Sequence, residues 1–104
     1  SEICVFGLAG INESAVRQAS ARLLTVLRQT VQQPKYEGVP LIVLDPTPAA
    51  VVKVAGKYRY KMLVKARNTK PMRDLVRELM HTLNSDPAAR GVTVYVDINP
   101  ASML

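Results

Sequence analysis

Residues 57–66 read Lys-Tyr-Arg-Tyr-Lys-Met-Leu-Val-Lys-Ala. In an extended chain successive side chains point to opposite faces, so this run sorts into two rows. Lys57, Arg59, Lys61 and Lys65 fall on one side, joined by Leu63; Tyr58, Tyr60, Met62, Val64 and Ala66 fall on the other. The alternation predicts a long strand over 58–66. If helices cover its apolar face, the opposite face of the sheet is open and carries a row of cations.

Upstream, Ala55-Gly56 reads as a turn and 51–54 as a strand segment. Asp45-Pro46-Thr47-Pro48 interrupts an earlier strand over 39–44, because proline cannot donate to a ladder. Further back, apolar residues recur at helical spacing from Val16 through Val31. Asn12 is the N-cap candidate, Glu13 suits the first turn, and Pro34 marks the end. Residues 3–8 form a short apolar run that fits a buried strand. Downstream, Asn68 or Thr69 can cap a second helix with Pro71 in its first turn. Met72, Leu75, Val76, Leu79, Met80 and Leu83 make its stripe, and Ser85-Asp86-Pro87 closes it. Residues 92–97 then alternate as a half-buried strand.

The order is β-α-β-β-α-β. An α+β, ferredoxin-like sandwich is the expected solution: one four-stranded sheet with two helices on one face and right-handed crossovers. The 104 residues suit one domain, 1–104, without an internal linker or repeat. At 48% hydrophobic but only 5% aromatic, the core is expected to be aliphatic. The chain opens on a strand-like run without an initiator methionine, which suggests a piece of a longer protein.

Fourteen basic against eight acidic residues give a net charge of +6, a field that attracts polyanions. The cationic row suits phosphate neutralisation; it suits equally a solvated face whose lysines protect the sheet edge. Arg67, Lys70 and Arg73 gather at the start of the second helix. An acidic peptide or terminal carboxylate fits there, beside the ordinary alternative of solvated side chains next to a cap.

Catalytic readings find little support. Nucleotide-binding glycine loops and a nucleophile elbow are absent. Asp45 and Asp97 sit naturally at strand ends. Cys4 lies in an apolar run far from His81, the one histidine, and reads as a buried hydrophobe in a reducing compartment. With so few soft ligands no metal site is expected, and no apolar run is long enough to span a membrane. An RNA-recognition motif needs aromatics on its central strands, for which Lys57-Tyr58-Arg59-Tyr60 is a weak substitute.

Three signatures then occur in order. Pro46-Thr47-Pro48-Ala49 resembles the G-P-x-P-A turn of the primosomal protein N′ helicases, Gly56-Lys57-Tyr58-Arg59-Tyr60 their R-G-[RK]-[YW]-R-[YW] hairpin, and Val96-Asp97-Ile98-Asn99-Pro100 their closing V-D-[VI]-D-P. The resemblance covers essentially the whole chain. Asp45 replaces the usual Gly, Ala55 the usual Arg and Asn99 the second Asp, which thins the basic hairpin.

The resemblance implies the C-terminal domain of a cytoplasmic bacterial replication-restart helicase, similar in fold to ribosomal protein S10. ATP, magnesium and zinc would belong to the rest of that helicase, and this domain would carry no catalysis or cofactor. It implies contact with branched or single-stranded DNA, with the helicase's other domains, and with the acidic tail of single-stranded-DNA-binding protein, and no membrane. Lys53, Lys57, Arg59 and Lys61 are the expected phosphate contacts, with Tyr58 and Tyr60 packing the hairpin or stacking on a base. Arg67, Lys70 and Arg73 are the expected docking residues for the tail. A structural lid on the helicase core is the remaining alternative.

Overall fold

The structure, a computed structural model, describes residues 2–98. Strand β1 (Glu2–Gly10) leads to helix α1 (Glu13–Thr30). Asn12 caps α1 as expected: its extended backbone turns the side chain to accept the Ala15 N–H at 2.9 Å. Val16, Ala19, Leu23, Val26 and Leu27 form the buried stripe. After α1, Pro34–Tyr36 makes a single 3₁₀ turn.

Strands β2 (Leu41–Val43), β3 (Thr47–Val54) and β4 (Lys57–Ala66) follow, then helix α2 (Lys70–Asn84). Thr69 is the cap of α2, its hydroxyl accepting the Met72 N–H at 3.3 Å. Pro71 occupies the first turn, where its missing N–H has no helical partner to lose. A second 3₁₀ turn, Pro87–Ala89, precedes strand β5 (Thr93–Ile98).

All strand pairings are antiparallel. β1 is central, paired with β4 along its whole length and with β5 from Cys4 to Ala9. The order is β2-β4-β1-β5, with β3 also on β4. The sheet therefore has five strands rather than the expected four, because two strands share the free edge of β4. Leu41–Val43 pairs with Ala66–Val64; after Asp45-Pro46 the chain returns and Thr47 opposes Lys61. Pairing thus resumes earlier than the prolines suggested. Pro48 is tolerated because an edge strand has one side on which no donor is required. Between Pro48, opposite Tyr60, and Lys53, opposite Tyr58, extra residues loop out of register as a bulge.

Both helices pack on one face of this sheet. Phe6, Leu8, Met62, Leu23, Leu27, Leu75, Leu79 and Leu83 are sealed from solvent in one core. Each such side chain contributes roughly 1.5–3 kcal/mol on burial. Tyr60, Val64, Ala66 and Cys4 belong to the same cluster. Burial drives the Cys4 thiol up to about 11, with Asp97 adding to the shift, so it stays protonated. By alternation the odd-numbered residues of β4 face away from both helices.

Candidate nucleic-acid interface

Strand register fixes the open face row by row. Lys65 opposes both Ile3 and Ile42. Leu63 opposes Val5, which opposes Asp97. The central row runs Thr47, Lys61, Gly7, Tyr95. Arg59 opposes Ala9, which opposes Thr93, and Lys57 stands beyond at the hairpin. Four cations therefore share this face with one described carboxylate, Asp97.

Glu13, Asp45, Asp74, Glu78 and Asp86 lie on the helical side or along the sheet's rim. Ion pairs among the described residues include Arg17–Glu13 at 3.1 Å, Arg22–Asp86 at 2.6 Å, Arg28–Asp45 at 3.8 Å, Lys35–Glu78 at 2.8 Å, and Lys70 and Arg77 with Asp74 at 2.9 and 3.1 Å. Asp45, expected to be a strand-end acid, is spent on Arg28. Lys57 and Lys65 take part in none of these pairs. Acid drawn to the helices leaves an excess of positive charge on the sheet, where long-range attraction for a polyanion concentrates.

The tyrosines divide. Tyr60 is buried, and its hydroxyl accepts from Arg17 Nε at 3.4 Å, so it packs the core and presents no ring to a ligand. Tyr58 is half-buried against the core, with Lys53 Nζ 5.0 Å above its ring. Lys53 opposes Tyr58 and so stands on the tyrosine side of the hairpin. The grouping of Lys53 with Lys57, Arg59 and Lys61 does not hold: those three are on the opposite face.

Over residues 1–101 the chain matches the family model described as the primosomal protein N C-terminal domain. The chain belongs to this family. No curated protein matches it. Among solved structures it is similar to a hydantoinase/carbamoylase family amidase from Burkholderia ambifaria, with 15% identity and a TM-score of 0.62 over 93% of this chain and 26% of the amidase. It spans about a quarter of that enzyme. It is also similar to the de novo designed protein Foldit4, with 14% identity and a TM-score of 0.57 over 98% of this chain and all of the design. At such identities the likeness is one of fold.

In this primosomal domain the Pro46–Ala49 signature starts the edge strand β3, and Gly56 completes the β3–β4 turn. Val96-Asp97-Ile98 lies in β5, while Asn99 and Pro100 are outside the described residues. The three expected docking residues separate. Arg67 and Arg73 flank a shallow cleft of about 20 Å³ with Cys4, Met72, Val76 and Ile98 in its walls, and Arg73 is steadied by Asn68 Oδ1 at 3.1 Å. Lys70 points to the other side of α2, in its ion pair with Asp74. His81 is exposed there, far from buried Cys4. Among the described residues no cluster suits a metal ion, and no helix is long and apolar enough to cross a membrane.

One residue of the face was missed in the sequence: Tyr95. Its alternation within β5 places it outward, but its neighbour, Gly7, is known only from the register.

Proposed function

We propose that this domain holds DNA by its phosphates through the open sheet face, within a replication-restart helicase whose other domains supply ATP, magnesium and zinc chemistry. The observation that carries this reading is the segregation of charge among the described residues: Lys57, Arg59, Lys61 and Lys65 with one described carboxylate, Asp97, on a face left uncovered by both helices. Such contacts neutralise phosphates and release counterions without reading sequence. Branched or single-stranded DNA suits a sheet that has no helix to enter a major groove. The strand order supports the ferredoxin-like, S10-like description, with β2 and β3 as one interrupted edge strand.

Fluorescence anisotropy of a labelled fork and a labelled single strand tests it. Binding is expected to weaken steeply with salt, and Lys57→Glu/Arg59→Glu/Lys61→Glu to lower affinity by about 100-fold or more while the fold persists. Unchanged affinity in the folded triple variant would reject the assignment.

The Arg67–Arg73 cleft favours a second role on the same domain. Apolar walls flanked by guanidinium groups suit a peptide that ends in an apolar side chain and a carboxylate, as the acidic tail of single-stranded-DNA-binding protein would supply. Arg73→Glu is expected to abolish chemical-shift changes on titrating the tail peptide. Equal shifts in variant and parent would dismiss this role.

A further inference from the structure

In the central row of the open face, Gly7 stands between Lys61 and Tyr95. A Cβ built on Gly7 would lie 2.2 Å from Tyr95 Cζ and 2.5 Å from its hydroxyl oxygen. The missing side chain is therefore what lets the ring lie across β1 instead of standing off the edge strand. Leaning inward, the ring lies over Gly7, the residue that separates Tyr95 from Lys61 in the row. Tyr95 nevertheless remains 40% exposed. The ring is thus backed by the main chain of β1 and keeps part of its surface open to solvent.

The surroundings say what it suits. Half-buried Leu63 adjoins the row on one side and adds some apolar surface, but Asp97 lies in the same row, opposite buried Val5, and repels phosphate. On the other side lie Arg59, Ala9 and Thr93, with Lys57 beyond. Arg59 and Lys57 thus follow one another along one flank of the ring, whereas the other flank carries Asp97 in the adjacent row and Lys65 only in the row beyond. Unpaired bases have free π-faces and a flexible backbone that lets base and phosphate go to different neighbours. A duplex keeps its bases stacked inside.

We infer that Tyr95 is the base-stacking platform of this face, and that its ligand is an unpaired DNA strand whose phosphates pass over Lys61 and Arg59 toward Lys57. Gly7 is its positioning residue. This rests on the phosphate-contact reading above and adds to it a preference for bases over bare backbone.

The test compares a labelled oligothymidylate of about 12 residues, within the span of known single-strand sites, with an abasic strand of the same length. The parent protein is expected to bind the strand with bases about 5- to 150-fold more tightly, the range of one stacked base. Tyr95→Ala should erase that preference and leave abasic binding unchanged; Tyr95→Phe should keep it. Gly7→Ala, whose methyl displaces the ring, should reduce it without altering any aromatic or charged group. Salt-sensitive but equal binding of both strands by the parent would overturn stacking and leave the phosphate reading standing. A preference that survives Tyr95→Ala would also overturn it. If neither strand binds, both readings fall.

Discussion

Met62 and Lys61 are consecutive residues of β4, yet Met62 has no solvent exposure and Lys61 looks onto the open sheet face. The comparison extends along the strand. Tyr60, Met62, Val64 and Ala66 join a core built from both helices, whereas Lys57, Arg59, Lys61 and Lys65 supply the charge of the surface behind it. A single strand thus does two jobs that are separable residue by residue. The covered face sets stability and tolerates no polar intrusion; the open face sets what the domain attracts. Substitutions that respect the alternation should therefore move one property and spare the other.

The largest effect belongs to the covered face. Met62→Ala should cost about 2–5 kcal/mol, because the lost contacts leave a cavity between helices and sheet. In a domain of this size that lowers Tm by at least about 8 °C. Lys61→Glu, one residue away, should change stability far less than Met62→Ala while weakening DNA binding. Thermal melts and anisotropy on the same two variants check both halves. A destabilised Lys61→Glu protein, or an undisturbed Met62→Ala one, would break the division.

A smaller effect arises where the helical layer holds its acids. Glu78 accepts hydrogen bonds from Gln33 Nε2 at 2.6 Å and the Tyr36 hydroxyl at 2.8 Å, and pairs with Lys35 at 2.8 Å. It ties the 3₁₀ turn to α2. Lys35, then Gln33 and Tyr36, hold its carboxyl down at about 2, against an ordinary 4.5. A depressed folded pKa gives stability that is complete above about pH 4.5 and lost as pH falls through about 2. Glu78→Gln should cost about 1 kcal/mol near neutrality, less than a buried charged pair because solvent screens the contact. It should also flatten that acid-side decline, read from denaturant midpoints between pH 2 and 6. An unchanged pH profile would mean that other carboxylates carry the acid transition.

Much of this division was legible in the sequence, and the exceptions share a cause. Alternation within β4 identified both faces, and Asn12 and Thr69 announced the helix starts, because these signals are local. Lys53 was misplaced because its parity was carried across the turn. A two-residue hairpin pairs Val54 with Lys57 and therefore Lys53 with Tyr58, which puts the lysine behind the face of Arg59. The Ala55-Gly56 turn was itself readable, so the signal was present. Tyr95 differs: its position depends on Gly7, far away in the chain, and no local pattern joins them. The interruption between β2 and β3 was legible, but the return of pairing at Thr47 was not, since prolines mark an interruption without saying where pairing resumes. Tyr36 and Glu78 meet only in the folded chain.

The smallest effect lies at the hinge of the comparison, where β3 turns into β4. Ala55 has φ 52° and Gly56 φ 78°, both left-handed, as a two-residue type I′ turn requires. Gly56 adopts this freely. Ala55 does not, because a Cβ in the left-handed region crowds the following carbonyl at a cost of roughly 1 kcal/mol. Asparagine is far better tolerated there, and Asn-Gly is the favoured pair for this turn. Ala55→Asn should therefore stabilise the domain by about 0.5–1 kcal/mol. Ala55→Gly should gain less, since glycine also widens the freedom of the unfolded chain. Neither change adds charge, so the salt dependence of DNA binding should stay where it was. A gain in Tm with an unaltered salt slope would show that the hairpin's geometry and the charge of the open face are independent. A gain in stability with a shifted slope would show instead that the turn aims Lys57 and Arg59, and that the two faces of the strand are coupled at its end.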